Sequence, residues 1–264
     1  MKKIIYDLSK LSPELRSQIL LSPKFYDWFT RKPEQMLGIG ADAKTIKGLK
    51  KGFKTAILYL APANMSGQQL CAMAATAQCD KACLFTAGRG AMSTVMISRL
   101  WRTLFLQQYE AEAIAMIKAE IARHYARSLR EDWTLLVRLN GTSDIRWENY
   151  DVIQSFPDVQ FYDYTKLANR RNVPANYDLT FSYSDVAAYK PHVAKAKANG
   201  MRIAVVFRNR AIVQNMLDNG IAFHGMPVVD GDDTDIRHLD PMGAVVALYA
   251  KGAAKTDATG FVVG

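Results

Sequence analysis

In residues 133–144, WTLLVRLNGTSD, a short apolar run is followed at once by a polar turn, a pattern typical of a strand in an α/β sheet. Residues 133–139 have the composition of a buried strand, and residues 140–144 contain the glycine and short polar side chains of a turn. Further strands are predicted at 55–61, 159–164, 179–182, 202–207, 227–229 and 243–248. Helical segments separate several of them, most clearly at 186–199. The sequence therefore predicts an α/β fold with a mostly parallel sheet and right-handed crossovers, arranged as a (β/α) barrel or partial barrel.

Helical patterns and caps suggest how the chain is divided. Long helices are predicted from Ser93 towards Gln108 and from Glu110 to Arg130, with His124 at a surface position. Ser12 and Ser22, each followed by proline, are typical N-caps of short helices. We therefore predict a basic helical extension over residues 1–54 and a (β/α) barrel-like domain over residues 55–264.

Length and composition exclude several classes of protein. The chain has 264 residues, 49% of them hydrophobic, which is enough for one substantial core. No apolar run approaches the roughly 18 residues of a membrane span, and lysines precede any signal-peptide core. We expect a cytoplasmic protein with no membrane partner.

Positive charge is concentrated in the first 54 residues. They contain twelve Lys or Arg residues against five Asp or Glu, which gives 12 − 5 = +7 of the net +9 of the chain. Such a segment suits nucleic-acid phosphates, although a lysine-rich solvated surface explains it equally well. Together with Tyr26, Trp28 and Phe29, it supports one alternative, a non-enzymatic nucleic-acid-binding protein.

Polar clusters follow most of the predicted strands. They occupy residues 140–144, 163–166, 182–184, 208–210 and 230–235. Ligands of barrels and open α/β sheets bind at the carboxyl ends of the strands, so these clusters should converge on one edge, called here the carboxyl rim. The loop after strand 55–61 belongs to the same rim, and it contains every cysteine of the chain.

Cys71, Cys79 and Cys83 are predicted metal ligands. An odd number of cysteines in a reducing compartment argues against a disulfide framework and leaves thiolates for a metal. Zinc would need a distant histidine such as His224 or His238 as a fourth ligand. Three cysteines alone suit an iron-sulfur cluster with one open iron. A third interpretation makes Cys71 a buried core thiol without a ligand role.

The order of elements resembles the radical S-adenosylmethionine family. A strand, a loop with three cysteines, a helix and a second strand ending in a glycine and acid segment follow one another as in that family. The cysteine spacing differs, with seven and three intervening residues where the family usually has three and two. The resemblance implies a phage or mobile-element protein in which Cys71, Cys79 and Cys83 hold a 4Fe-4S cluster. Contacts to S-adenosylmethionine are expected from Gly141, Ser143 and Asp144, with Asn140 and Glu148 beside them.

Arg89 completes the predicted cofactor site. It lies in Gly88-Arg89-Gly90, a turn before a helix where backbone amides can approach a phosphate or carboxylate. The resemblance implies that the cofactor pair generates a 5′-deoxyadenosyl radical, which abstracts hydrogen from the substrate. The basic charge favours a nucleic acid or nucleoside as that substrate.

Carboxylates at the predicted rim support another enzymatic alternative. Asp163, Asp230 and Asp232 follow strands, and paired carboxylates suit nucleophilic or acid/base work on a nucleoside, such as the exchange of a nucleobase. The acidic stretch 230–240 is also compatible with a solvated turn, or with a site for magnesium or a substrate ribose.

Overall fold

The computed structural model describes residues 4–40, 43–80, 82–83 and 86–264. Lys2, Lys3 and Asp42, which were counted in the basic segment, lie outside the described residues. The helices are α1 (Pro13–Leu21), α2 (Pro23–Trp28), α3 (Ala43–Leu49), α4 (Ser93–Gln108), α5 (Glu110–Arg130), α6 (Lys190–Ala198) and α7 (Arg210–Asp218). The strands are β1 (Leu37–Ile39), β2 (Phe53–Leu58), β3 (Thr134–Arg138), β4 (Gln160–Thr165), β5 (Tyr177–Ser182), β6 (Ile203–Phe207), β7 (Val228–Asp230) and β8 (Val245–Tyr249).

The eight strands form one open sheet in the order β1-β2-β3-β4-β5-β6-β8-β7. Every pairing is parallel except that of β1 with β2. The predicted mixed α/β fold with a mostly parallel sheet is therefore confirmed, whereas the sheet does not close on itself into a barrel. Helix α3 contacts the loop after the edge strand β7, where Lys47 Nζ donates to the Asp232 carbonyl. Just after α3, Lys51 Nζ lies 3.3 Å from Asp233 Oδ2.

Helices pack against one face of the sheet in two clusters. The N-terminal segment, α4 and α5 bury apolar side chains against β2, β3 and β4. Helices α6 and α7 pack on β5, β6 and β8. On the opposite face, Ile236 packs against Leu136 and Tyr162, so that the segment after β7 covers this side of the sheet. None of the described helices is both long and apolar enough to cross a membrane.

The N-terminal segment contains the two predicted caps and one unpredicted strand. Ser12 Oγ accepts a hydrogen bond from Leu15 N (3.3 Å), and Ser22 Oγ accepts one from Phe25 N (3.4 Å). Strand β1 then pairs with β2. The start of β1 is bound to α5, because the backbone N–H groups of Met36 and Leu37 each donate to the buried Glu120 carboxylate at 2.8 Å.

His124 lies on the buried stripe of α5 and not at the surface, so its predicted position was wrong. The buried residues of α5 follow a spacing of three or four residues that includes position 124; they are Ala113, Ile117, Glu120, Ile121, His124 and Ser128. Burial, together with the neighbouring Arg123 and Arg127 charges, lowers the pKa of His124. The imidazole is therefore held in its neutral form.

Gly141 marks a close approach between the end of β3 and strand β2. Its backbone N–H donates to Leu58 O at 3.1 Å. A Cβ atom at this position would lie 2.7 Å from the Tyr59 ring and 2.8 Å from an Ile57 methyl group. The glycine therefore allows the turn to pack on its neighbouring strand.

Replacing Gly141→Ala should lower the free energy of unfolding by about 1–3 kcal/mol, because the added methyl overpacks this contact. Gly38→Ala is the matched control, since its nearest heavy atom would be Ile57 O at 4.0 Å. Urea denaturation followed by circular dichroism measures both variants. Equal stability of Gly141→Ala and the wild type would contradict the described packing.

Candidate functional site

The cysteine loop lies directly over the carboxyl rim. Asp144 N donates to Leu70 O at 2.9 Å, and Ser184 Oγ donates to Ala77 O at 2.8 Å. Cys71 Sγ lies 3.9 Å from Thr142 O, within the turn that follows β3. The structure thus brings two predicted site segments into contact, the cysteine loop and residues 140–144.

None of the three cysteines forms a disulfide, and their thiols are partly buried and within electrostatic range of one another. Burial, with smaller contributions from the charges of Asp144, Cys83 and Cys79, raises the pKa of Cys71 to about 12. Burial also raises the pKa of Cys79, which the nearby Lys166 charge partly offsets. Cys71 and Cys79 are therefore protonated at neutral pH when no cation is bound. Across the described part of the chain, no three His, Cys, Asp or Glu side chains form a ready-made metal site.

Asn140 organises the turn after β3 through its side chain. Its Oδ1 atom accepts hydrogen bonds from Ser143 Oγ and Ile145 N, both at 2.9 Å. Its Nδ2 atom donates to Ile145 O at 2.9 Å and to the Tyr177 hydroxyl at 3.3 Å. The Asn140 and Ser143 side chains are thus engaged with the turn itself, which they hold in one conformation.

The predicted cofactor acids Asp144 and Glu148 are both bound to Arg170. The guanidinium donates from Nε to Glu148 Oε1 at 2.9 Å and from Nη1 to Asp144 Oδ1 at 3.5 Å. Asp144 also accepts from Lys166 N at 2.8 Å and from Thr165 Oγ1 at 2.9 Å. Burial raises the pKa of Asp144 above its ordinary value, while these donors oppose the shift. The two carboxylates therefore fix the turn to the end of β4.

Asp163 is completely buried beneath the same turn. Its carboxylate accepts from Leu139 N and Asn140 N at 3.1 Å and from the Tyr177 hydroxyl at 3.0 Å. Burial raises the pKa of Asp163 to about 6, although the Arg138 charge and these donors lower it. The predicted catalytic carboxylate thus joins β4 to the backbone just after β3 and to the first residue of β5, and it has no exposed surface.

Asp230 and Asp232, the other predicted catalytic acids, line a cleft of about 430 Å³. Lys47, Lys251 and Arg210 line the same cleft. Lys251 Nζ lies 2.6 Å from Asp232 Oδ1, and Lys47 Nζ donates to the Asp232 carbonyl. The cleft brings these two aspartates together, and Asp163 is not among its lining residues.

Lys166 belongs to the site although it was not among the predicted site residues. It follows β4 directly, donates from Nζ to Ser182 Oγ at 2.8 Å, and lies 4.8 Å from the centroid of the Phe261 ring. Its charge acts on Cys79. Its position in the polar cluster 163–166 was the only sequence signal for this role. Arg89, by contrast, is exposed in a short 3-10 helix.

Comparison with known proteins gives one family match, over residues 32–263, to the model described as Gene product 88. The chain belongs to the Gene product 88 family. This is a phage-type family, in agreement with the expected phage or mobile-element origin. No curated protein and no solved structure matches the chain. The Gene product 88 match includes the cysteine loop, the Asn140 turn and every strand of the described sheet.

Substituting Arg170→Met should lower the free energy of unfolding by about 3–5 kcal/mol, because Asp144 and Glu148 would stay buried without their partner. The adjacent Arg171 is exposed, so Arg171→Met should change stability by less than about 0.5 kcal/mol. Chemical denaturation of both variants tests this. Similar small effects of the two substitutions would show that Arg170 does not hold the turn.

Proposed function

We propose that this protein is an iron-sulfur enzyme that uses S-adenosylmethionine to start radical chemistry on a nucleic acid or nucleoside in the cytoplasm of a phage host. One observation carries the proposal: three cysteines that form no disulfide share a loop over the carboxyl rim, with their thiols within electrostatic range of one another. Enzymes with parallel α/β sheets bind their ligands at this edge.

The chemistry of the donor set fits an iron-sulfur cluster. Thiolates are the usual ligands of such clusters, and three of them leave one iron open. Two of the sulfur atoms make long contacts to backbone carbonyls, Cys71 Sγ at 3.9 Å from Thr142 O and Cys79 Sγ at 3.8 Å from Ala74 O. Binding must displace their protons, since burial raises the pKa of both thiols. Cluster binding is therefore expected to draw the cysteine loop together.

With its cofactors bound, the site would supply a carbon-centred radical for hydrogen abstraction, after one electron from an external reductant. The residues of the chain would hold and shield that site. Lys166 places a positive charge beside Cys79, and the rigid turn 140–144 supports Cys71 through Thr142. Phe261 and Tyr189 flank the Lys166 amine with aromatic surface, which helps to exclude water.

The segment 140–148 would shape the cofactor site through its fixed backbone, because its polar side chains are already bound within the protein. Asn140, Ser143, Asp144 and Glu148 each bond to other protein groups. Contacts to S-adenosylmethionine would therefore come from the backbone around Gly141, or would require Asp144 to exchange one of its partners. Arg89, on the exposed short helix, is free to reach a carboxylate or phosphate as the cysteine loop closes.

The cleft with Asp230 and Asp232 favours a second candidate function. Three carboxylates, with Asp233 as the third, and three cationic side chains line this cleft of about 430 Å³. Such a lining suits a nucleoside or nucleotide, on which the acids would catalyse the exchange of a base. Incorporation of a radiolabelled base into DNA or tRNA tests it. Loss of incorporation in Asp230→Asn is the expected result, and no incorporation by the wild type would exclude this function.

Anaerobic reconstitution with iron and sulfide should give about four irons and four sulfides per chain. Cys71→Ser, Cys79→Ser and Cys83→Ser should each lose most of this iron together with the charge-transfer absorbance. Met73→Leu is the control, since it lies in the same loop and offers no thiolate. Zinc without sulfide would favour a structural zinc site, and unchanged iron content in the cysteine variants would contradict the proposal.

A further inference from the structure

A narrow groove lies between the segment that follows α2 and the side of α4. Its volume is about 290 Å³, and its lining includes Trp28, Arg31, Glu34, Gln35, Trp101 and Arg102. This volume is at the lower end of the roughly 300–1,000 Å³ of ligand pockets, so it suits one flat group of a longer ligand. The groove is separate from the cysteine loop, and the α2 side of it precedes the span that matches the family.

Two stacked tryptophans give the groove a rigid aromatic surface. The Trp28 and Trp101 rings are nearly parallel, with an interplanar angle of 11° and centroids 5.4 Å apart. Trp101 is buried, and its indole N–H donates to Arg31 O at 3.0 Å, which fixes the stack. Trp28 is only partly buried, so part of its indole remains accessible. Such a plane stacks with a nucleobase of any sequence.

Cations surround this aromatic surface. Lys24 Nζ lies 5.6 Å from the centroid of Trp28, and the Arg31 guanidinium lies 5.2 Å from that of Trp101. Arg102 is held at the groove by Gln35 O (2.9 Å) and Ser98 Oγ (2.8 Å). Cations beside an exposed aromatic plane match the alternation of phosphate and base along a nucleic-acid strand.

The acids near the groove do not cancel this charge. Asp27 and Glu34 both pair with Arg31, at 3.1 and 2.8 Å, and their side chains are 63% and 79% exposed. Exposed ion pairs of this kind contribute little to stability, so Arg31 can exchange a carboxylate for a phosphate at little cost. Counting Lys24, Arg31 and Arg102 against these two acids gives 3 − 2 = +1 around the groove.

We propose that this groove binds single-stranded nucleic acid, with one base stacked on Trp28 and the flanking phosphates beside Lys24, Arg31 and Arg102. A double helix does not fit this arrangement, because its bases are already stacked on each other and a single indole plane cannot reach between them without unpairing. The inference does not depend on a cofactor at the cysteine loop.

Fluorescence anisotropy with a fluorescein-labelled mixed-sequence 12-mer, as single-stranded DNA, single-stranded RNA or DNA duplex, tests the proposal on the full chain. Trp28→Leu should weaken single-strand binding by roughly ten-fold or more, and Trp28→Phe by less. Lys24→Gln should weaken it about two- to three-fold and reduce the salt dependence by about one charge. Duplex should bind more weakly than either single strand.

Two matched controls distinguish the groove from general basic charge. Trp133 also has a lysine over its ring, with Lys54 Nζ 4.4 Å from the centroid, but it lies away from the groove, directly before β3. Trp133→Leu should therefore leave binding unchanged. Lys190, on α6, has a 64% exposed side chain, and Lys190→Gln should have no effect. Equal losses in the controls, or unchanged binding by folded Trp28→Leu, would overturn the proposal. If Trp28→Leu does not fold by circular dichroism, Trp28→Phe and Lys24→Gln decide in the same way.

Discussion

Parallel pairing between β2, β3, β4 and β5 determines where the loops of the candidate site lie. Register pairs such as Ile57 with Arg138 and Thr165 with Phe181 bring consecutive strands to an end at the same edge. The loops that follow these strands must therefore meet there. Asp163 reinforces the meeting point, because its buried carboxylate binds backbone N–H groups after β3 and the Tyr177 hydroxyl of β5. The cysteine loop rests on this rigid edge.

The sequence predicted those parts of the fold that local patterns determine. The bounds of α4 and α5 follow from apolar periodicity, and the starts of α1 and α2 from a serine cap followed by proline. Strand β1 was missed because three residues carry no clear alternation, and its attachment depends on Glu120, which is 84 residues from Met36 in sequence. Local patterns also could not show whether the sheet closes, since closure would require the two edge strands, β1 and β7, to pair.

The structure brings together the two main segments of the candidate site, the cysteine loop and residues 140–144. What the sequence did not show is that Arg170 binds Asp144 and Glu148, or that Asp163 has no exposed surface. A carboxylate that binds a cofactor and one that locks a turn have the same identity in a sequence, and only their partners distinguish them. Lys166 was overlooked because its role depends on Cys79, which lies in a distant part of the chain.

Cys71, Cys79 and Cys83 are proposed to hold a cluster with one iron left for S-adenosylmethionine. Electron paramagnetic resonance of the reconstituted, dithionite-reduced protein measures both parts of this proposal. We expect a signal from a reduced 4Fe-4S cluster whose g values change when S-adenosylmethionine is added, because the cofactor would bind to the open iron. A cluster signal that S-adenosylmethionine leaves unchanged, or the absence of any cluster signal, would show that the proposed cofactor site is wrong.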